Sequence, residues 1–345
     1  HHPNIRLFQV PVAAADEPAT DVDAAWEACT PDSVADFTAA GYYFGINLQA
    51  KLGVPIGLIQ SCVGGTNVSS WIPREVMLNA PEFKHFIEDW EATVAANPDQ
   101  AESTKRPAGH YNAMMRPLQP YTIKGAIWYQ GEANAKSAET AIEYRRFFPA
   151  MIQTWREHWG QGAFPFLFVQ LAGYGRGHAV GWPMLREAQT MTLSLENTGM
   201  AVAIDVGMED DIHPKDKKTV GERLAHTAMS VAYGRKVLPS GPLYAAMEVQ
   251  GSKAVLSFEY AGQGLMVRGD NIEGLVIAGE DRNFVPADAR IDGKKVVVSS
   301  PAVANPVAVR YAWASFGPCN LYAKNGLPAV PFRTDDWEIA DTVEE

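Results

Sequence analysis

The stretch Met200-Ala-Val-Ala-Ile-Asp-Val-Gly-Met-Glu-Asp-Asp-Ile-His-Pro-Lys-Asp-Lys217 organises the reading of the whole chain. Its apolar opening, 200–206, predicts a buried strand that runs out into a loop. The loop carries Asp210 and Asp211 just before His213, with Pro214 after it, and Thr219 to Ala228 then reads as a helix. A histidine at the carboxyl end of a strand, with acids two and three residues before it, suits a general base held in one tautomer by a carboxylate. A solvated acidic loop with a chance histidine is the plainer alternative, and the other strand ends weigh against it.

Three more segments are apolar without alternation, the pattern of parallel strands buried on both faces. Ile56 to Val63 ends in Gly64-Gly65-Thr66, Lys124 to Gln130 ends in Gly131-Glu132-Ala133-Asn134, and Phe164 to Leu171 ends in Ala172-Gly173-Tyr174. Helical spacing separates them. Ala40, Phe44, Leu48 and Leu52 recur at four-residue steps until Gly53 and Pro55. The span 73–106 reads as polar helix. A helix from Ala138 to Trp159 carries Tyr144, Phe147, Phe148, Met151, Ile152 and Trp155 along one side, and another holds Leu185, Arg186, Ala188, Gln189 and Leu193. Alternating strand and helix predicts a doubly wound α/β sheet, which binds ligands beyond the carboxyl ends of its strands. The first 36 residues add one short strand, Ile5 to Val10, and a Pro/Ala/Asp-rich connection. Past Pro239, short strands at 255–258, 265–268, 275–278, 295–299 and 308–313 are separated by turn residues. The expected division is an α/β domain over 1–238 and a β-rich module over 239–345.

Composition excludes several function classes. Lys and Arg number 29 against 40 Asp and Glu, a net charge of −11, so no nucleic-acid partner is expected. Cys29, Cys62 and Cys319 lie far apart with no CxxC, which signals neither a disulfide framework nor a zinc site. No apolar run is long enough to span a membrane. The chain opens on His1-His2-Pro3 rather than Met.

Acyl transfer needs a nucleophile, a base, a group that orients the base, and donors aimed at an oxyanion. His213 is the candidate base, with Asp210 or Asp211 as its orienting acid. The N–H of Gly64 or Gly65 can approach a substrate closely because no Cβ intervenes. Asn134, or less favourably Gln130, supplies a second donor. Glu132 either holds its loop together or binds a sugar hydroxyl. Among the aromatic residues, Trp71 and Tyr129 lie nearest the strand ends and are the better candidates to stack on a sugar, though packing is the commoner fate of such rings. Arg116 either binds an acidic substrate or pairs with a carboxylate. His178 borders the candidate site, His110 and His226 read as structural, and Asp205 reads as a loop anchor.

These motifs resemble a known family. Gly57-Leu-Ile-(x)3-Val-Gly-Gly-Thr66, Trp128-Tyr-Gln-Gly-Glu-Ala-Asn134, Asn197-Thr-Gly-Met-Ala-Val-Ala-Ile-Asp205, Asp211-Ile-His-Pro214 and Gly326-Leu-Pro-(x)2-Pro-Phe-Arg-Thr-Asp335 are similar to the sialate O-acetylesterases, members of the SGNH (GDSL-like) hydrolases. The resemblance implies a flavodoxin-like three-layer domain, hydrolysis of acetyl esters on sugars, a serine nucleophile, and no metal or cofactor. In SGNH enzymes the acid stands three residues before the histidine, which favours Asp210. The local Asp-Ile-His-Pro pattern favours Asp211.

One family block is absent, the Gly-Gln-Ser-Asn-Met-like turn that carries the serine. Ser61 falls inside a strand, Ser69 and Ser70 suit helix capping, and Cys62 suits core packing. In sheets of order 2-1-3-4-5 the first strand is central, and its removal would leave unpaired backbone groups in the core. The expectation is therefore that this strand and its serine come from polypeptide upstream of His1. This chain alone would then be inactive and poorly folded. Its expected partners are an acetylated carbohydrate and the N-terminal fragment bearing the nucleophile, in a secreted or periplasmic setting. Acetylated xylan is an alternative substrate, and a non-catalytic glycan-binding protein is an alternative class.

Overall fold

The computed structural model describes residues 1–103 and 105–339. Strands β1 (His2–Gln9), β2 (Trp26–Cys29) and β3 (Ile56–Gln60) form one sheet in the order β2-β1-β3, with β1 and β3 parallel. Strands β4 (Ala126–Trp128), β5 (Phe166–Gln170) and β6 (Thr198–Val202) form a second, all-parallel sheet in that order. Helix α1 (Ala39–Leu52) joins β1–β2 to β3. Helices α2 (Arg74–Asn79) and α3 (Lys84–Ala96) precede β4. Helices α4 (Ala138–Trp159), α5 (Gly181–Met191) and α6 (Lys217–Val231) follow β4, β5 and β6.

The alternation of β5 places its two sets of side chains on opposite faces. Phe166 and Phe168 pack on Phe148 of α4. Leu167 and Val169 join Leu48 of α1 and Val220, Leu224 and Ala228 of α6 in a separate apolar cluster. The aromatic side foreseen for α4 is wholly buried: Tyr144, Phe147, Phe148, Met151 and Ile152 all lie at 0% exposure. Its start is fixed by a capping box between Ser137 and Thr140, which satisfies donors that the first turn leaves free. Thr38 caps α1, and Gly53 ends it in the left-handed conformation.

Several boundaries differ from expectation. The connection before α1 contains the strand β2, whose Cys29 is buried against β1. Its short, mostly exposed sequence carries no periodic signal. The span 73–106 is broken into α2, α3 and a 3-10 turn rather than one helix. The strand expected over 200–206 ends at Val202, and Ile204–Val206 form a 3-10 turn. Arg223 of α6 accounts for this bend. Its guanidinium donates to the Val202 carbonyl at 2.7 Å and to both carboxylate oxygens of Asp205 at 2.5 and 2.7 Å.

From Leu243 onward the chain is β-rich. It contains β7 (Leu243–Gln250), β8 (Lys253–Glu259), β9 (Leu265–Val267), β10 (Leu275–Ala278), β11 (Val285–Pro286), β12 (Asp288–Asp292), β13 (Lys295–Ser299), β14 (Ala308–Tyr311), β15 (Leu321–Ala323) and β16 (Phe332–Arg333). Two four-stranded sheets, β11-β10-β14-β16 and β12-β13-β8-β7, share a core with the pair β15-β9. Arg186 of α5 ties this region to the parallel sheet. Its buried guanidinium donates to the carbonyls of Leu171 and Ala172 after β5, and to those of Ala314 and Ser315 after β14.

Candidate active site

The loops after β3 and β4 are locked together by side-chain amides. Asn134 donates from Nδ2 to Asn67 Oδ1 at 2.8 Å, and its Oδ1 accepts from the Val68 N–H at 3.2 Å and from Gln130 Nε2 at 2.8 Å. Gln130 Nε2 also donates to the Thr66 carbonyl at 3.0 Å, while its Oε1 accepts from the Tyr144 hydroxyl. Both amide hydrogens of Gln130 are thereby used, so this side chain braces the loops and leaves no donor for a substrate. Asn134 keeps one Nδ2 hydrogen. Asn67 was not singled out by sequence reasoning; its only signal is its position as the cap of the short turn Val68–Trp71.

Gly64 and Gly65 lie at the exposed rim of this network. Gly65 has a φ of +71°, a conformation that other residues rarely adopt, and a Cβ at either glycine would meet nothing within 4 Å. A substrate can therefore approach the backbone at this rim without meeting a side chain. Trp71 is not available to a sugar: it is 2% exposed, donates to Thr66 Oγ1 at 3.0 Å, and packs on Trp128 and His110. Trp155 and Trp159 are likewise core. Tyr129 is half-buried, with a buried hydroxyl that meets no hydrogen-bond partner among the described residues.

The loop after β6 reaches the same edge by passing close to the loop after β5. Gly207 lies so near Gly173 that a Cβ would stand 2.3 Å from the Gly173 carbonyl oxygen. An isolated bridge joins Met208 to Tyr174, and the Gly175 N–H donates to the Glu209 carbonyl at 2.9 Å. Beyond these anchors the loop is exposed. The His213 N–H donates to Asp211 Oδ1 at 2.9 Å, and that same oxygen stands 3.6 Å from His213 Nδ1. The imidazole is 85% exposed. At 3.6 Å the ring and carboxylate are in contact without a hydrogen bond between them. Asp210 is exposed, and among the described residues it forms no hydrogen bond or ion pair with the ring.

Electrostatics couple the two sides of the edge. Burial pushes the Glu132 carboxyl above its ordinary range, against the pull of neighbouring backbone N–H groups, the Lys217 ammonium and His213. Burial lowers Lys217, while Glu132 and Asp211 oppose that shift. Lys217 sits 5.3 Å over the Tyr129 ring. It opens α6, where a cation is disfavoured by the helix dipole, so its placement answers to these acids rather than to the helix. Sequence reading passed over Lys217 because a lysine at a helix start carries no motif.

The remaining candidates lie as follows. Asp205 is held by Arg223 and by the Tyr322 hydroxyl at 2.9 Å, as a loop anchor. His226 Nε2 meets the Leu238 carbonyl, and His110 is buried with Nδ1 on the Ala13 carbonyl. His178 Nδ1 accepts from the Gly181 N–H at the start of α5. Arg116 is exposed. Ser61 donates to the Met114 carbonyl and Ser70 to that of Lys105, while Ser69 and Ser70 are buried inside the Val68–Trp71 turn, not at a helix cap. Among the described residues, no group of three or more His, Cys, Asp or Glu side chains could hold a metal ion.

The family model for carbohydrate esterase, sialic acid-specific acetylesterase, matches residues 12–230. The chain is 32% identical to the mouse sialate O-acetylesterase, over 95% of this chain and 71% of that protein. It is 31% identical to the human sialate O-acetylesterase, over 95% and 68%. A carbohydrate acetylesterase from Xanthomonas citri superposes with a TM-score of 0.87 at 41% identity, covering 98% of this chain and 74% of that one.

Proposed function

The chain belongs to the sialic acid-specific acetylesterase family of carbohydrate esterases, and from that premise we propose that it removes acetyl esters from sugars by a Ser-His-Asp mechanism. The observation that carries this reading is the pairing of His213 with Asp211 on a loop that faces Glu132 and the Asn134 network.

In this mechanism, His213 removes the serine hydroxyl proton as the oxygen attacks the acetyl carbonyl. The tetrahedral oxyanion is met by the N–H groups of Gly64 or Gly65 and by the spare Nδ2 hydrogen of Asn134. Collapse expels the sugar oxygen, which takes the proton from His213 and leaves an acetyl-serine. Water, deprotonated by the same imidazole, then releases acetate. Asp211, rather than Asp210, stabilises the imidazolium, and the 3.6 Å contact shortens to a hydrogen bond when substrate excludes water. Glu132 and Lys217 set the charge of the edge.

The serine is supplied by polypeptide outside residues 1–345. The division of the parallel strands into two sheets supports this. Edge strands β3 and β4 are not paired with each other, yet their following loops are bonded at Gln130 and Thr66. One parallel strand between them completes a flavodoxin-like sheet, covered by helices on both faces in the three-layer manner of SGNH hydrolases. The experiment is turnover of p-nitrophenyl acetate and of an acetylated sugar by the full-length protein. His213→Ala is expected to lower kcat/KM about 10²–10⁴-fold. A loss below threefold would remove His213 as the base.

A further inference from the structure

A cleft of about 430 Å³ runs along the side of α6 that faces the β-rich region. Asp216, Glu222 and His226, at and along α6, line it together with Arg268 and Asn325 of the β-rich region. Its volume falls within the roughly 300–1,000 Å³ of small-molecule sites. Its base is rigid. Arg223 holds Asp205 with two bonds, Tyr322 donates to the same carboxylate, and the Arg268 guanidinium stacks on the Tyr322 ring at 3.8 Å.

Arg268 is exposed, and no carboxylate among the described residues pairs with it. Stacking fixes the plane of its guanidinium while leaving its N–H edge free to donate. Asn325 Oδ1 accepts from the Leu327 N–H, which leaves its Nδ2 available. Acceptors line the same cleft, on Asp216 and Glu222. Carboxylates and guanidiniums are both present, so neither an anion nor a cation meets a uniform field. Donors and acceptors lining one cleft suit vicinal hydroxyls. Asp216 is three residues beyond His213, so at most about 11 Å of chain separates the cleft from the catalytic base.

We propose that this cleft is a saccharide subsite, in which Arg268 and Asn325 hold a neutral sugar unit of the same glycan whose acetylated unit lies at His213. The subsite rests on the esterase reading and explains how a shallow, exposed catalytic edge can select glycans over simple acetates.

The test compares the full-length parent with Arg268→Ala and Asn325→Ala on p-nitrophenyl acetate, acetylated xylotetraose and O-acetylated sialyllactose. For at least one oligosaccharide, the ratio of its kcat/KM to that for p-nitrophenyl acetate should fall about tenfold in Arg268→Ala, the scale of one lost charge-assisted hydrogen bond, mainly through KM. Arg268→Gln replaces the alanine variant if a thermal melt shows misfolding. A ratio within twofold of the parent for both oligosaccharides in both variants overturns the subsite. If the parent turns over no acetate, the esterase reading fails instead. NMR titration with unacetylated xylotetraose and sialyllactose then decides the cleft: resonances of residues 216–226 and 325 should shift in the parent and not in Arg268→Ala, and no shift with either sugar overturns it.

Discussion

The two sides of the catalytic edge are built to opposite standards. The loops at 63–68 and 130–134 are held by a closed set of amide bonds above a floor of fully buried aromatic rings. The loop at 207–216 is firm at its root, where Asp205 meets Arg223, and open at its tip, where His213 is 85% exposed and its ring lies against Asp211. The difference fits the roles proposed for each side. Donors for an oxyanion work by being fixed before the reaction. A base needs its partner to tighten only when substrate covers it.

The largest expected effect breaks the tip. Asp211→Asn should lower kcat of the full-length esterase by as much as about 10⁴-fold, the cost of a wrong imidazole tautomer. Asp210→Asn should cost less than about tenfold, since among the described residues it is Asp211 and not Asp210 that pairs with the ring. Steady-state kinetics on both variants decide which acid orients the base, and a reversed order would move the role to Asp210.

The root is tested by stability. The Asp205 and Arg223 side chains are about 9% and 10% exposed, and breaking such a buried pair costs about 3–5 kcal/mol. Burial alone would raise the Asp205 carboxyl, but Arg223 and Tyr322 hold it below its ordinary value. A depressed folded-state pKa adds stability above the unfolded pKa of about 3.9 and loses it as pH falls through the folded value. Denaturant melts of the parent and Asp205→Asn should therefore differ by a constant amount above about pH 5 and converge below about pH 4.

On the firm side, Asn134→Ala should lower kcat about 10²–10³-fold, the loss of one oxyanion donor. It should also destabilise by about 1–3 kcal/mol, because the Val68 N–H loses its acceptor. A stability loss with kcat unchanged would make Asn134 a brace only.

The smallest effect tests the charge between the two sides. Glu132 is raised chiefly by burial. A raised folded-state pKa favours the folded protein below the unfolded value of about 4.3, and that advantage is lost as pH rises through the folded value. Glu132→Gln should thus melt at a higher temperature than the parent at pH 7, with the gap closing toward pH 4. An unchanged or lower melting temperature at pH 7 would contradict the buried-charge account.

Much of this was legible in the sequence, for identifiable reasons. Unalternating apolar runs located β3 to β6, and for β5 and β6 the reason is that strands covered on both faces leave no polar phase. The four-residue spacing in α1 and the aromatic side of α4 were legible in the same way. The early end of β6 was not, because it is set by Arg223, 21 residues beyond the Val202 carbonyl it binds. The burial of Trp71 was not legible either: nearness to a strand end in sequence does not say which way a ring turns. Lys217 and Asn67 act through partners in distant loops, and single residues without periodicity leave no trace to read.

The central claim is that His213 activates a serine lying outside residues 1–345. A fluorophosphonate probe on the full-length protein, followed by peptide mass mapping, tests this directly. The account predicts one labelled serine upstream of His1, with labelling abolished in His213→Ala. Label on Ser61, Ser69 or any other serine of this chain, or labelling that survives His213→Ala, would contradict it.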